Sequence, residues 1–262
     1  MALARHHLGP AELESADLMT TTPETDPYTE SAEFYEVMAL PHWDMKREIL
    51  VSALTSAGSV DGPVVDIGAG TGLSTIAIAD TIPDVAIQAV EPSAAMRAAL
   101  VSRILGRADL IDRVTVHPVG VEQFELPDRI GAAVLFGVIG YLNHPARQRF
   151  WADIRSRITP PAPVVVEVMA LDRPMTVPEM VIAQHRIGRH DNEVRISGQP
   201  ADEDTELWTM RYVVREGNHI VKDFTTEHRW RTVGLAELAR DADAHDMTFQ
   251  ELHPLIGVLR AR

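Results

Sequence analysis

The chain has 262 residues, of which 45% are hydrophobic and 24% are charged, values typical of a globular domain with room for an insertion. Its net charge of −14 disfavours nucleic acids and anionic membranes as partners, because like charges repel. The absence of cysteine excludes disulfides and thiolate metal sites. No apolar signal segment opens the sequence, and no apolar run approaches the roughly 18 residues of a membrane span, so a cytoplasmic protein is expected.

The first 60 residues are predicted to form an arm and a helical cap. Residues 1–30 are polar and rich in proline, which predicts a loose arm. Apolar residues then recur at helical spacing, predicting a helix with Ser31 as its N-cap that ends at Pro41. A second helix is predicted from Asp44 to near Gly58.

The next hundred residues alternate short apolar strands with helices. Strands are predicted at 64–67, 85–90, 114–116, 132–136 and 164–168, and helices at 73–81, 94–105 and 144–158. This alternation predicts an α/β fold with a doubly wound, mostly parallel sheet covered by helices on both faces. Right-handed crossovers place the strand-to-helix loops on one edge of such a sheet, where ligands bind.

The segment 171–232 breaks this alternation. Its residues alternate between apolar and polar around Glu216-Gly217-Asn218, as in a β-hairpin. A helix over 234–246 and two closing strands follow. We therefore predict three parts: an arm and cap over 1–60, a sheet domain over 61–170 and 233–262, and an antiparallel insertion, or lid, over 171–232.

The run "VVDIGAGTG" places Gly68, Gly70 and Gly72 between a strand and a helix. Backbone N–H groups and a helix N-terminus then surround a small space that suits a phosphate or a carboxylate. A dinucleotide fingerprint would need glycine or alanine where this chain has Leu73, and the lysine of a P-loop is missing. A carboxylate ligand is therefore favoured.

Glu91 follows the second predicted strand, in "AVEPSAAM". A carboxylate there can accept hydrogen bonds from the two vicinal hydroxyls of a ribose. A ligand that carries a carboxylate at one end and a ribose in the middle is S-adenosylmethionine (SAM).

Four motifs in this order, "VVDIGAGTG", "VEPSAAM", "VGVEQF" and "VLFGVIGYL", resemble the class I SAM-dependent methyltransferases over about residues 61–168. The layout of the later hairpin, helix and closing strands is similar to that of amino-sugar N-methyltransferases. The resemblance implies a Rossmann-like, mostly parallel seven-stranded sheet. It also implies methyl transfer from SAM to an N, O or C atom of a small molecule, in specialised metabolism.

The resemblance also implies a set of cofactor-binding residues. Glu91 would hold the ribose, Met96 would pack on the adenine, and Asp66 would orient the glycine loop. Gly120 stands where relatives have an acidic residue for the adenine amino group, so Glu122 would need a local shift to replace it. The full implied set is Asp66, Gly68, Ala69, Gly70, Thr71, Gly72, Glu91, Pro92, Met96, Gly120, Val121, Glu122, Phe136 and Gly137.

Two residues are candidates for catalysis. Tyr141 follows the fourth strand, where methyl group and acceptor must meet, and relatives carry histidine or tyrosine there. His228 in the insertion is a candidate general base, because histidine titrates near neutral pH. Each is also compatible with simple packing. Other candidates are Glu167 for a substrate amine and Tyr28, Tyr35 or Trp43 for closing over the cofactor; no metal is expected, since the histidines lack ligand spacing.

Several alternatives remain open at this point. A protein of the same fold that binds SAM without methyl transfer, such as a cyclase or an auxiliary subunit, would share these motifs. A nicotinamide dehydrogenase is disfavoured by Leu73. A peptide acceptor is compatible with the sequence, and the arm and insertion together suggest a homodimer contact.

Overall fold

The computed structural model describes residues 26–262; residues 1–25, which belong to the predicted arm, lie outside the described residues. Five α-helices occur in the described chain: α1 (Tyr35–Ser56), α2 (Leu73–Thr81), α3 (Ala94–Leu105), α4 (His144–Arg157) and α5 (Leu235–Ala244). The strands of the larger sheet are β1 (Val64–Ile67), β2 (Ile87–Val90), β3 (Val114–His117), β4 (Ala132–Leu135), β5 (Val164–Glu167), β10 (Met247–His253) and β11 (Ile256–Ala261). The smaller sheet contains β6 (Val177–Ile187), β7 (His190–Pro200), β8 (Thr205–Glu216) and β9 (His219–Arg231).

The larger sheet has seven strands in the order β10-β11-β5-β4-β1-β2-β3. Strands β1 to β5 are parallel, while β11 pairs antiparallel with both β5 and β10. Every residue of β1 and β4 is buried, as expected for central strands covered on both faces. The predicted doubly wound, mostly parallel seven-stranded fold is confirmed.

The prediction that Pro41 ends a helix is wrong, because a single helix, α1, continues through it. Proline costs a helix interior about 3 kcal/mol, so packing must offset this loss. The first half of α1 packs Val37 against the smaller sheet, and the second half buries Leu50 and Leu54 against the larger one. Ser31 precedes a short 3-10 turn, and its side chain makes no capping hydrogen bond.

The smaller sheet has the antiparallel order β6-β7-β8-β9 and lies within the predicted insertion. The hairpin between β8 and β9 turns at the predicted residues 216–218. The sequence did not indicate β6 and β7, because buried and exposed residues do not alternate along either strand. Most residues of the edge strand β6 are exposed. No helix within residues 26–262 is long and apolar enough to span a membrane.

A buried polar network joins α4 to α5. The Arg147 side chain is 2% exposed, and its Nε donates to Asp241 Oδ2 at 2.7 Å. The same oxygen accepts a hydrogen bond from Trp151 Nε1 at 3.1 Å, and Glu237 forms an ion pair with the Arg147 guanidinium. This network holds the segment after the lid against the core of the larger sheet.

We expect Asp241→Ala to destabilise the chain by about 3 kcal/mol, because it leaves the buried Arg147 cation partly unpaired. Asp243→Ala on the same helix is the matched control: its pair with Arg262 is exposed and worth about 1 kcal/mol or less. Urea unfolding measures both free energies. Equal losses for the two variants would contradict this account.

Candidate active site

Four residues lie level with one another at the carboxyl edge of the larger sheet. Leu135 is in register with both Ile67 and Val166, and Ile67 is in register with Val90. The next residue on each of the strands β2, β1, β4 and β5 therefore forms one row. That row is Glu91, Gly68, Phe136 and Glu167. With neighbouring strands about 4.8 Å apart, the row is about 14 Å long and has a carboxylate at each end.

The loop after β1 needs glycine for its backbone conformation. Gly68 and Gly70 have φ values of 68° and 56°, in the left-handed region that other residues rarely adopt. A Cβ on Gly68 would also overlap the Val138 side chain, and one on Gly70 would lie 3.4 Å from the Tyr35 hydroxyl. The loop thus brings bare backbone to the middle of the row.

Glu91 links this loop to the start of α3. Its Oε2 accepts a hydrogen bond from the Gly70 N–H at 2.8 Å, and its Oε1 accepts one from the Ser93 N–H at 2.8 Å. Burial raises the pKa of Glu91, although these two hydrogen bonds oppose the shift. Because each carboxylate oxygen has a second lone pair, Glu91 can still accept hydrogen bonds from a diol.

Asp66 lies beneath the glycine loop and is buried. Its Oδ2 accepts hydrogen bonds from Ser74 Oγ at 2.8 Å and from Thr75 Oγ1 at 2.6 Å, which fixes the first turn of α2. Its Oδ1 has no hydrogen-bond partner among the described residues. Burial raises the pKa of Asp66 from 3.8 to about 6, against the effect of the two hydroxyls.

A cavity of about 560 Å³ opens beside the row, and we call it the cofactor cavity. The structure brings ten of the fourteen sequence-derived cofactor residues to its wall. They are Gly68, Gly70, Glu91, Pro92, Met96, Gly120, Val121, Glu122, Phe136 and Gly137. Asp66 and Gly72 line neither this cavity nor its neighbour, while Ala69 and Thr71 face the neighbouring one.

The second cavity, of about 310 Å³, lies between α1, the row and the lid, and we call it the acceptor cavity. Both catalytic candidates, Tyr141 and His228, line it. Tyr35, Trp43 and Glu167 line it as well. The sequence could not show that these residues, which lie far apart in the chain, share one cavity.

A tyrosine cluster, consisting of Tyr28, Tyr35 and Tyr141, lies where the two cavities meet and lines both. The hydroxyls of Tyr28 and Tyr141 are 2.6 Å apart, and the rings of Tyr28 and Tyr35 meet edge to face with centroids 6.5 Å apart. Burial raises the pKa of all three, so each hydroxyl keeps its proton at neutral pH.

Asp26 holds Tyr28 in this position, a role that the sequence did not suggest. Asp26 Oδ1 accepts a hydrogen bond from the Tyr28 N–H at 3.0 Å, and Oδ2 accepts one from Ser93 Oγ at 2.7 Å. Ser93 is also the N-cap of α3 and donates its N–H to Glu91. The cap segment and the Glu91 site are thus tied together at one residue.

His228 reaches the tyrosine cluster from strand β9. Its ring lies against that of Tyr28 with centroids 5.3 Å apart, and its Nε2 is 3.1 Å from Thr226 Oγ1. Burial lowers the pKa of His228, so the ring is neutral at neutral pH. A neutral imidazole in this place can accept a proton.

Gln123 is a second residue that sequence reasoning missed. It lines the cofactor cavity, and its Oε1 lies 2.7 Å from the point where a Cβ on Gly120 would stand. Glu122 instead points to Arg149, 3.9 Å away, and both are exposed. The side-chain oxygen beside Gly120 is therefore that of the amide of Gln123, one residue after Glu122.

Among residues 26–262, no group of three or more histidine, aspartate or glutamate side chains is arranged to hold a metal ion. The ionisable residues of the site instead make hydrogen bonds to backbone, hydroxyl and lysine groups.

Residues 64–161 match the family model described as a methyltransferase domain. This match covers β1 to α4, the segment that carries the glycine loop, Glu91 and Tyr141. Residues 64–161 therefore carry a methyltransferase domain, as the resemblance predicted. A comparison with the curated proteins gives no sequence match.

Solved structures share the fold of this chain far beyond the matched segment. DesVI from Streptomyces venezuelae is 15% identical, with a TM-score of 0.72 over 90% of this chain and 98% of that one. CalS10, an amino pentose methyltransferase from Micromonospora echinaspora, is 16% identical, with a TM-score of 0.68 over 84% and 92%. The sugar N-methyltransferase KedS8 from Streptoalloteichus is 14% identical, with a TM-score of 0.62 over 100% and 99%.

The buried Asp66 predicts a distinctive pH dependence of stability. Since its pKa is 3.8 when unfolded and about 6 when folded, the folded chain retains a proton between these values that the unfolded chain has lost. Because of Asp66, the free energy of unfolding therefore decreases as the pH rises through this window. The difference in unfolding free energy between the wild type and Asp66→Asn should decrease by up to about 3 kcal/mol across the same window. A difference independent of pH would contradict the assignment.

Proposed function

We propose that this protein transfers the methyl group of SAM to a neutral amine nitrogen of a small molecule. The observation that carries the proposal is the meeting of two cavities at the tyrosine cluster, beside Gly68 and Phe136. A methyl donor in one cavity and an acceptor in the other would approach each other there. Such an arrangement lets the protein align the reacting atoms and exclude water.

The cofactor cavity supports a specific placement of SAM. The glycine loop and the start of α2 offer backbone N–H groups to the amino-acid carboxylate. Glu91 would accept hydrogen bonds from the ribose hydroxyls, and Met96 would pack against the adenine. Gln123 Oε1 beside Gly120 supplies an acceptor for the adenine amino group, in place of the missing acidic residue.

The acceptor cavity supports a small molecule with a largely apolar body. Phe34, Met38, Trp208, Met210 and Tyr212 form much of its wall. Charged side chains are few there, which disfavours a peptide or a highly charged substrate. The wall nevertheless offers hydrogen-bonding groups, so a polar atom on an apolar skeleton suits it well.

A nitrogen acceptor fits the chemistry of these groups. A neutral amine already has the lone pair that displaces the sulfur, whereas a hydroxyl needs a base to activate it. The new C–N bond forms as the C–S bond breaks; the sulfonium becomes a thioether, and the nitrogen takes the positive charge. The neutral His228 would then accept the extra proton from the nitrogen. Two structurally similar proteins, KedS8 and the glycopeptide enzyme MtfA, are named as N-methyltransferases, which supports nitrogen as the acceptor atom.

Binding of the cofactor can be tested without knowing the acceptor. Calorimetric titration should show that S-adenosylhomocysteine binds the wild type, and Glu91→Ala should weaken it about tenfold or more by removing the ribose partner, about 1.4 kcal/mol. Glu125→Ala is the matched control, since Glu125 is an exposed glutamate of the same segment that lines neither cavity. Equal losses in both variants would contradict the role given to Glu91.

Turnover distinguishes this proposal from a SAM-binding protein without transferase activity. The protein should form S-adenosylhomocysteine from SAM when mixed with small apolar amines, and methylated amine should appear by mass spectrometry. Matched aliphatic alcohols should give no product, because a hydroxyl is far too weak an acid for the neutral His228 to deprotonate. Tight binding of SAM with no product from any amine would favour the non-transferase alternative.

His228→Asn tests the proton acceptor. We expect kcat to fall about 100-fold, the lower end of the contribution of general bases. In the wild type, kcat should decrease at low pH as His228 becomes protonated, at a pH below the ordinary histidine range because burial lowers the His228 pKa. This decrease should disappear in the variant. His219→Asn, at the exposed start of β9, is the control. An unchanged kcat in His228→Asn would exclude this role.

A further inference from the structure

The acceptor cavity contains one ion pair on an otherwise uncharged wall. Lys46 on α1 and Glu167 at the end of β5 are the only lysine, arginine, aspartate or glutamate residues that line it within the described chain. Lys46 Nζ is 2.5 Å from Glu167 Oε1, and the two side chains are 24% and 12% exposed. The pair is thus largely removed from water but still open to a molecule in the cavity.

Glu167 lies close to the place where the methyl group would be transferred. It ends the row that contains Phe136 and Gly68, and across the sheet it lies about two strand spacings, or roughly 10 Å, from Gly68. Burial is the largest cause of the raised pKa of Tyr35, and the negative charge of Glu167 is the second largest. Glu167 is therefore within electrostatic range of the tyrosine cluster.

A single carboxylate in an apolar cavity would favour a positively charged ligand. For an amine, this means the ammonium form, which has no lone pair and cannot accept a methyl group. A lysine beside the carboxylate cancels this preference, since the site then has no net charge. The carboxylate can still accept a hydrogen bond from a neutral N–H.

We propose that Lys46 is a specificity-determining residue that acts through Glu167. The pair makes the acceptor cavity bind amines in their neutral form, with an amine N–H donating to Glu167, and disfavour the unreactive ammonium form. This inference rests on the proposed function, because it concerns the same acceptor site. It adds the residues that select the protonation state of the substrate.

Other titratable groups surround the pair and must be considered in any pH dependence. Asp44, Arg47 and Glu48 flank Lys46 on α1 but are exposed to solvent. Six further titratable side chains line the cavity together with the pair: Tyr28, Tyr35, His42, Tyr141, Tyr212 and His228. His253 lies at the end of β10, which is next to β11, and Ile256 of β11 pairs with Glu167. All remain in place in the variants below, so a difference between variants reports on the pair itself.

A purely structural role is the alternative, in which the pair only ties α1 to the edge of the sheet. Both roles predict that removing Lys46 changes the protein. They differ in what happens when both charges are removed, because a cavity with no charge again has no preference for ammonium. A lost tether is not restored by a second deletion.

The experiment measures binding of benzylamine to the full chain saturated with S-adenosylhomocysteine, by calorimetry at one pH below and one above the pKa of free benzylamine. Benzyl alcohol, which does not titrate in this range, controls for effects of pH on the cavity. The wild type should bind benzylamine more tightly above that pKa. No detectable binding of benzylamine at either pH would overturn the proposal.

Four variants test the charges. In Lys46→Met, binding below the amine pKa should become about tenfold tighter than in the wild type. Lys46→Arg and the double variant Lys46→Met/Glu167→Gln should both keep the wild-type preference for the neutral amine. Lys222→Met is the matched control: the only other lysine of the chain also pairs with a glutamate, Glu33, but does not line the cavity.

An unchanged pH preference in Lys46→Met, or a double variant that behaves like Lys46→Met, would overturn the proposal and leave the structural tether. Thermal unfolding and the affinity for S-adenosylhomocysteine check that each variant folds. If Lys46→Met does not fold, Lys46→Gln removes the same charge while keeping a hydrogen-bond donor beside Glu167, and it takes the place of Lys46→Met in the test. Failure of the proposed function is separate, since it would appear as a lack of cofactor binding or of turnover in the wild type.

Discussion

The site depends on the carboxylate of Glu91 and the two backbone N–H groups that it holds. Through Gly70 it fixes the glycine loop after β1, and through Ser93 it fixes the start of α3. Burying a carboxylate costs free energy unless the carboxylate is hydrogen-bonded. The two N–H groups therefore stabilise the buried carboxylate, and the carboxylate in turn stabilises the backbone of the loop. This mutual support sets the shape of the cofactor cavity before any ligand enters.

The cap and the lid complete this framework from two other sides. Asp26 binds Ser93 and places Tyr28 against Tyr141, which covers the junction between the cavities. From the lid, Trp230 packs edge to face on Tyr141 with ring centroids 4.8 Å apart and lies directly over Gly140, where a Cβ would overlap the indole. Tyr141 is therefore held from both directions at the junction of the two cavities.

Local patterns predicted the parts of the fold that local physics controls. Strands β1 to β5 are short, mostly apolar segments between turn signals, and the glycine loop and Glu91 follow strand ends, so their positions could be inferred. The continuation of α1 through Pro41 could not, because it depends on packing against two different sheets. Edge strand β6 escaped notice because few of its side chains are buried.

Two of the site residues that the sequence did not reveal acquire their roles from distant residues: Lys46 meets Glu167 across the fold, and Asp26 meets Ser93. The third, Gln123, reaches Gly120, three residues earlier, through a turn that no motif specifies. Spacing along a strand or helix carries no information about such pairs. The sequence thus located the cofactor cavity, while the acceptor cavity required the three-dimensional structure.

A crystal structure with bound S-adenosylhomocysteine tests the central claim most directly. The account predicts density for the ribose diol at hydrogen-bond distance from Glu91, the amino-acid carboxylate at the glycine loop, and the sulfur beside Phe136 at the mouth of the acceptor cavity. A nucleoside bound elsewhere, or a Glu91 side chain turned away from the sugar, would contradict it.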